Sequence, residues 1–308
     1  MAKQSMNRRA LPADARIFEW RAPDGWTHRR LDWPQPAAKK ARGTLLFAGG
    51  RGDFIEKYLE AMAHWHGEGW AVAAFDWRGQ GGSRGGIENG HLDSLDILGD
   101  DLAALLGELR SSGHGPHVAI GHSMGGHVLL RALAEGRAEL DAAVLVAPML
   151  GINTGPLPNW AAGWMSAAMA GFGWSRAPVW RAPLAETRRI ALTSSRERYE
   201  DELWWWKKVP DFRLSAPSWG WLDAAYRSCA WLSEARLRAV TTPLLLVGSE
   251  TDRLVSAGAI RRAARLVPGA QLRMFAKAGH ELLREADPIR LEALAEIDTF
   301  LAEKAPQR

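Results

Sequence analysis

Three residues far apart in the chain are of the types and in the settings that acyl transfer needs. Ser123 lies in Gly121-His122-Ser123-Met124-Gly125, Asp252 in Gly248-Ser249-Glu250-Thr251-Asp252, and His280 in Ala278-Gly279-His280-Glu281. A serine hydroxyl is a weak nucleophile until a neighbouring base takes its proton. An imidazole can be that base and can return the proton to a leaving group, while a carboxylate holds the ring in the needed tautomer. Serine, acid and histidine in that chain order, each just past a buried apolar run, fit attack on an acyl carbonyl. Glu250 is the competing acid. His122 reads as packed beside the serine.

Each of these residues needs an element to hold it. The apolar run Val118-Ala119-Ile120 stops at the Gly-His-Ser-Met-Gly turn, and a helix-like stretch follows from Val128 to Leu133. Strand, tight turn and helix together make a nucleophile elbow. Gly121 and Gly125 are expected there because a side chain at either position would strike the adjoining strand or helix. The developing oxyanion needs donors, each worth about 3–4 kcal/mol at the transition state. The Met124 backbone N–H at the helix start is one. The second is expected from Gly49-Gly50-Arg51-Gly52, with the Arg51 amide favoured and Gly50 as the alternative. No Gly-Lys-Ser/Thr follows that loop, so it does not read as a phosphate loop. His64, His66, His114 and His117 have no carboxylate or cysteine at ligand spacing, so no metal is expected. No cofactor is expected either.

Strand-like and helix-like stretches alternate along most of the chain. Arg16–Trp20 and Thr27–Leu31 read as antiparallel strands around Pro23-Asp24-Gly25. Apolar runs at Thr44–Ala48, Trp70–Phe75, Ala142–Ala147, Pro243–Gly248 and Ala270–Phe275 read as strands of a buried sheet. Helices are expected from Asp53 (with Phe54, Tyr58, Met62 and Trp65 on one face), over 92–110, over 256–266 and over 287–303. The pattern is that of an α/β fold: a mostly parallel sheet with helices on both faces. It breaks between residues 149 and 237. That segment holds ten of the 16 tryptophans, with Pro156, Pro158, Pro178, Pro183, Pro210 and Pro217 as punctuation. It reads as a helical cap inserted over the strand ends. The expected division is therefore core 1–148, cap 149–237, and core again 238–308.

The 308 residues carry a net charge of +4, with 47% apolar and 24% charged residues, as in ordinary globular proteins. The basic residues are scattered, so no nucleic-acid stripe is read. Residues 1–14 are polar and read as loosely ordered, without the apolar run of a signal peptide. No apolar stretch approaches the ~20 residues of a membrane span. Cys229 is the lone cysteine. It can form no disulfide within the chain, and a cytoplasmic location is expected.

Phe75-Asp76-Trp77-Arg78-Gly79-Gln80-Gly81-Gly82-Ser83, Gly121-His122-Ser123-Met124-Gly125-Gly126 and Gly279-His280 resemble the α/β-hydrolase serine hydrolases that include monoacylglycerol lipases and bacterial lysophospholipases. Gly50–Tyr58 and Pro217-Ser218-Trp219-Gly220-Trp221 resemble a bacterial lysophospholipase-like branch. The resemblance spans residues 14–303 and implies an α/β-hydrolase fold with a helical cap. It also implies that Asp76–Ser83 braces the site. One departure is that His-Gly, usual before the oxyanion residue in these lipases, is Gly49-Gly50 here.

A tryptophan-rich cap over a serine site suggests a roomy apolar acyl pocket. The expected substrate is a single-chain acyl ester, a lysophospholipid or monoacylglycerol. Trp204-Trp205-Trp206 cannot all face inward on one helix, so at least one is expected to be partly exposed; beside Lys207-Lys208 it either makes weak contact with a lipid surface or covers a neighbour. A proline-type aminopeptidase is the alternative, with Glu197, Glu200, Asp201 and Glu202 as possible holders of a free amine. A non-catalytic ligand-binding protein on the same fold is the third reading.

Overall fold

A computed structural model describes residues 6–37, 39–154, 157–180 and 185–307. Eight strands form one sheet: β1 (Arg16–Arg21), β2 (Thr27–Trp33), β3 (Gly43–Ala48), β4 (Trp70–Phe75), β5 (His117–His122), β6 (Ala142–Val146), β7 (Leu244–Ser249) and β8 (Gln271–Phe275), in the order β1-β2-β4-β3-β5-β6-β7-β8. β2 runs antiparallel to β1 and β4, and every other pairing is parallel. β3, β6 and β7 are buried along their whole length. This explains their unbroken apolar sequences: side chains on both faces must meet covering helices. β1 and β8 are the edge strands, and Leu272 of β8 is exposed.

The α-helices among the described residues are α1 (Leu59–Gly67), α2 (Asp96–Ser112), α3 (Met124–Ala134), α4 (Asn159–Met169), α5 (Ala185–Leu192), α6 (Arg196–Lys208), α7 (Trp219–Trp231), α8 (Glu234–Arg238), α9 (Ala257–Leu266) and α10 (Asp287–Lys304). A single 3-10 turn, Ile55–Tyr58, precedes α1, so the helix expected from Asp53 begins later. Leu92 and Leu95 likewise lie ahead of α2 rather than within it. They are buried all the same, which is why they fitted the helical spacing.

Between β6 and β7 there is no named strand among the described residues, and α4 to α8 fill this stretch. Pro156 and Pro183 lie outside the described residues. This segment shares the sheet's core: Trp221, Leu222, Ala224 and Ala225 of α7 pack with the sheet's buried side chains. A smaller cluster of Phe54, Trp205 and Phe212 joins the loop after β3 to α6. The N-terminal residues are more tightly held than their polarity suggested. Arg8 pairs with Asp201 at 2.6 Å, Arg9 pairs with the same carboxylate at 2.7 Å, and the Trp205 indole donates to the Arg8 carbonyl at 3.0 Å. Residues 1–5 lie outside the described residues.

Candidate active site

Ser123 closes β5 in a backbone conformation that L-residues avoid, with φ 51° and ψ −114°. Such strain costs of order 1–3 kcal/mol and persists only where the surroundings hold it. Here the Ser123 N–H donates to the Val146 carbonyl at 2.9 Å, and its own carbonyl accepts from His127 at 3.0 Å and Met149 at 2.9 Å. The glycines explain the closeness of the turn. A Cβ on Gly121 would come 2.7 Å from the Gly126 backbone, and one on Gly125 would come 2.3 Å from the Ala48 carbonyl oxygen. The Met124 N–H at the head of α3 has no acceptor among the described residues, nor has the Arg51 N–H.

Asp252 and His280 stand on the loops after β7 and β8, two neighbouring strands of the sheet. His280 Nδ1 donates to Asp252 Oδ2 at 2.8 Å. The other carboxylate oxygen accepts the amides of Leu254 at 2.7 Å and Val255 at 3.0 Å. Burial alone would raise the Asp252 carboxyl, but His280 and these amides outweigh it, and its pKa lies below the ordinary value. Burial alone would lower His280, but the Asp252 charge and hydrogen bond overcome it, and the imidazole is raised above its usual 6.5. Glu250, the competing acid, pairs with Arg261.

His280 lies beside the elbow, its ring 4.9 Å from the ring of His122, which directly precedes the serine. No hydrogen bond joins the Ser123 hydroxyl to that ring among the described residues. In ligand-free sites such contacts are often long and tighten when substrate arrives. The His280 loop is also tied to the segment between β6 and β7. The His280 N–H donates to Ala191 of α5 at 3.2 Å, and the Glu281 N–H donates to Leu192 at 2.8 Å.

The loop after β3 presses on the serine from the other side. A Cβ on Gly50 would come 2.9 Å from the Ser123 Cβ, so only glycine fits without a shift. Asp53 shapes this loop, a residue that sequence reasoning passed over. Its Oδ2 accepts the Gly50 N–H at 2.5 Å and His122 Nδ1 at 2.9 Å, and its Oδ1 holds Lys57 Nζ at 2.6 Å. The Gly50 amide is therefore already spent, whereas that of Arg51 is not. Lys57 continues to Glu281 at 2.6 Å and to Glu202 of α6 at 3.4 Å, and Arg284 pairs with both of those carboxylates. A buried charge network thus links the serine-side loop, the residue after His280 and helix α6. Burial would raise the Asp53 carboxyl, but Lys57 and His122 hold it well below the ordinary range.

The Asp76–Ser83 loop braces the same region. Asp76 accepts the Ile55 N–H at 2.8 Å and the Gly82 N–H at 2.7 Å. The Trp77 indole donates to the Gly49 carbonyl at 2.7 Å, and Gln80 accepts the Gly52 N–H at 2.6 Å. Among the described residues no group of His, Cys, Asp or Glu could hold a metal ion.

The model of the family described as serine aminopeptidase, S33, matches residues 39–287. The chain belongs to that family. Within it, the chain is 30% identical over 288 residues to lysophospholipase L2 of Escherichia coli, covering 85% of this chain and 81% of the relative. It is 24% identical over 280 residues to the probable lysophospholipase L2 of Haemophilus influenzae, covering 89% and 87%. Among solved structures, a soluble variant of monoglyceride lipase from Saccharomyces cerevisiae superposes with TM-score 0.76 at 16% identity, over 97% of this chain and 99% of that one. Its fold is the α/β-hydrolase fold. Together with the lysophospholipase relatives, this S33-family chain is an ester-hydrolysing enzyme of the esterase and lipase kind.

Proposed function

We propose that the protein is a serine carboxylic-ester hydrolase that cleaves single-chain acyl esters, a lysophospholipid or a monoacylglycerol, through an acyl-enzyme. The observation that carries this reading is the Asp252–His280 hydrogen bond set beside the strained Ser123 turn. With Nδ1 committed to the carboxylate, Nε2 is the basic nitrogen of the ring. His280 takes the Ser123 proton as the oxygen attacks the ester carbonyl, then delivers it to the departing alcohol. Water enters by the same base and frees the acid. The unspent amides of Met124 and Arg51 stabilise the oxyanion in both halves. The lysophospholipase L2 relatives support the substrate class.

The aminopeptidase alternative needs free carboxylates in the capping segment to hold an amine. Glu197 and Asp201 pair with Arg8, Glu202 with Arg188 and Arg284, and Glu200 with Arg196. All four are spent, which favours the ester reading. The cytoplasm is the compartment that the lone Cys229 supports.

Contact with a lipid surface belongs to the same reading, but at another place than the Trp204–Trp206 run. In that run Trp205 is buried and its neighbours are half-buried. Between β6 and β7 the exposed aromatics among the described residues are Trp160, Trp164, Phe172, Trp174 and Trp180, and Phe172 is 81% exposed. Residues 159–180 include no acid and one cation, Arg176, which suits an anionic interface. Among the described residues no helix is long and apolar enough to cross a membrane. The test is a panel of acyl esters of increasing chain length beside aminoacyl arylamides. Rising kcat/KM from short to long esters supports the proposal, and a preference for aminoacyl substrates overturns it.

A further inference from the structure

Arg30, Arg78, Arg198, Arg284 and Arg290 are all buried, and each has a carboxylate partner. That is what the cost of taking a cation out of water demands. Arg51 breaks the pattern. It is half-buried, and it has no ion pair among the described residues. Its Nη1 donates to the Ser215 carbonyl at 3.1 Å and its Nη2 to the Asn89 carbonyl at 2.9 Å, both neutral acceptors. The guanidinium lies over the Trp221 ring, 5.0 Å from its centre, and Nε is buried with no acceptor among the described residues. Of the five N–H donors on a guanidinium, three have no partner among the described residues. Burial without a counter-charge lowers this group to about 9, which leaves it charged at neutral pH.

The position of this cation matters. Arg51 follows Gly50, the residue pressed against Ser123, and its side chain runs into the seam between the core at Asn89 and the capping segment at Ser215 and Trp221. A monoacylglycerol would offer a cation beside the reacting ester only hydroxyl groups. A lysophospholipid offers a phosphodiester anion one glycerol unit away from its ester. Guanidinium and phosphate oxygens match in geometry as well as charge. We propose that the Arg51 side chain receives the phosphate of a single-chain glycerophospholipid and so sets a preference for charged over neutral headgroups. This assignment rests on the ester-hydrolase reading above. Its rival is a purely mechanical role, in which Arg51 is a strut between core and cap. A strut affects both substrates alike, whereas a phosphate receptor separates them.

The test compares kcat/KM for 1-palmitoyl lysophosphatidylcholine and 1-palmitoylglycerol in the same detergent mixture, for the wild-type enzyme and Arg51→Gln. Taking the ratio of the two divides out any loss shared through the loop. The ratio is expected to fall about 10-fold or more. Arg51→Met, whose stem still covers Trp221, replaces the glutamine variant if that one fails to fold. A second arm measures inhibition of p-nitrophenyl butyrate hydrolysis by monomeric dodecylphosphocholine and by inorganic phosphate. Inhibition by the alkyl headgroup analogue that weakens about 10-fold without the guanidinium supports the proposal. Inhibition by inorganic phosphate alone, with an unchanged substrate ratio, makes this a free-anion site and overturns it. A ratio unchanged within two-fold in a folded variant also overturns it, and leaves the ester-hydrolase reading standing. A wild-type enzyme inert towards both esters and towards p-nitrophenyl butyrate overturns that reading, and this proposal with it.

Discussion

Replacing Asp53 with asparagine keeps the side chain's shape and removes its charge. Three donors converge on the carboxylate: the Gly50 amide at 2.5 Å, His122 Nδ1 at 2.9 Å and Lys57 Nζ at 2.6 Å. Asparagine offers one acceptor oxygen, and its NH2 group cannot accept. At least one donor is therefore stranded. Breaking a buried ion pair costs about 3–5 kcal/mol. Lys57 keeps Glu281 at 2.6 Å and Glu202 at 3.4 Å, so the loss falls at or just below the floor of that range. About 2–3 kcal/mol is expected, equivalent to a melting temperature lower by roughly 3–5 °C in a chain of this size. The depressed Asp53 carboxyl contributes fully above the ordinary value of 3.8 and loses its contribution as pH falls towards its folded-state value. The stability gap between wild type and variant is therefore full at pH 7 and narrows below about pH 4. The loop carrying the proposed Arg51 donor also loosens. A donor lost outright costs about 2.7–4 kcal/mol, so a misplaced one lowers kcat by about 10- to 100-fold. Thermal melting and steady-state kinetics on one long-chain ester measure both effects. A variant melting within 1 °C of wild type, with kcat within two-fold, refutes the reasoning.

Three further outcomes follow from the same geometry. Asp252→Asn lowers kcat by about 10³–10⁴-fold, because the ring loses the partner that fixes its tautomer. In the wild type the acid limb of kcat/KM has its midpoint above 6.5, since the base must be neutral and Asp252 raises His280; the midpoint moves down in Asp252→Asn, and a pH–rate profile reads both. Gly125→Ala drives a methyl group to 2.3 Å from the Ala48 carbonyl oxygen, a backbone atom with nowhere to go, and costs at least about 2 kcal/mol by chemical denaturation. The pair Trp164→Ser and Phe172→Ser weakens sedimentation with anionic vesicles and leaves hydrolysis of a water-soluble short ester intact, because both side chains face solvent.

The sheet was readable from sequence because burial on both faces forces strands such as Leu244-Leu245-Leu246-Val247 to be apolar throughout. The settings of Ser123 and Asp252 were readable for a related reason: each follows such a run, whereas His280 follows the mixed edge strand Gln271–Phe275, and the order of the strands brings the three strand ends to one side. Asp53 and Lys57 were not readable. Their partners lie at His122, Glu202 and Glu281, far along the chain, and two charged residues in a loop otherwise resemble solvated surface. The exposed aromatics were misjudged because α4 is apolar on most sides, so its pattern gives no hint that Trp160 and Trp164 face outward while Ala162 and Ser166 face in.

The account depends on an acyl group passing through the Ser123 oxygen. Intact-mass analysis after treatment with a long-chain fluorophosphonate, paired with hydrolysis of the same protein's preferred ester, tests this directly. The account predicts one adduct per chain, mapped to Ser123, with hydrolysis lost in step, and neither adduct nor turnover in Ser123→Ala. An adduct on another residue, or turnover undiminished in Ser123→Ala, contradicts it.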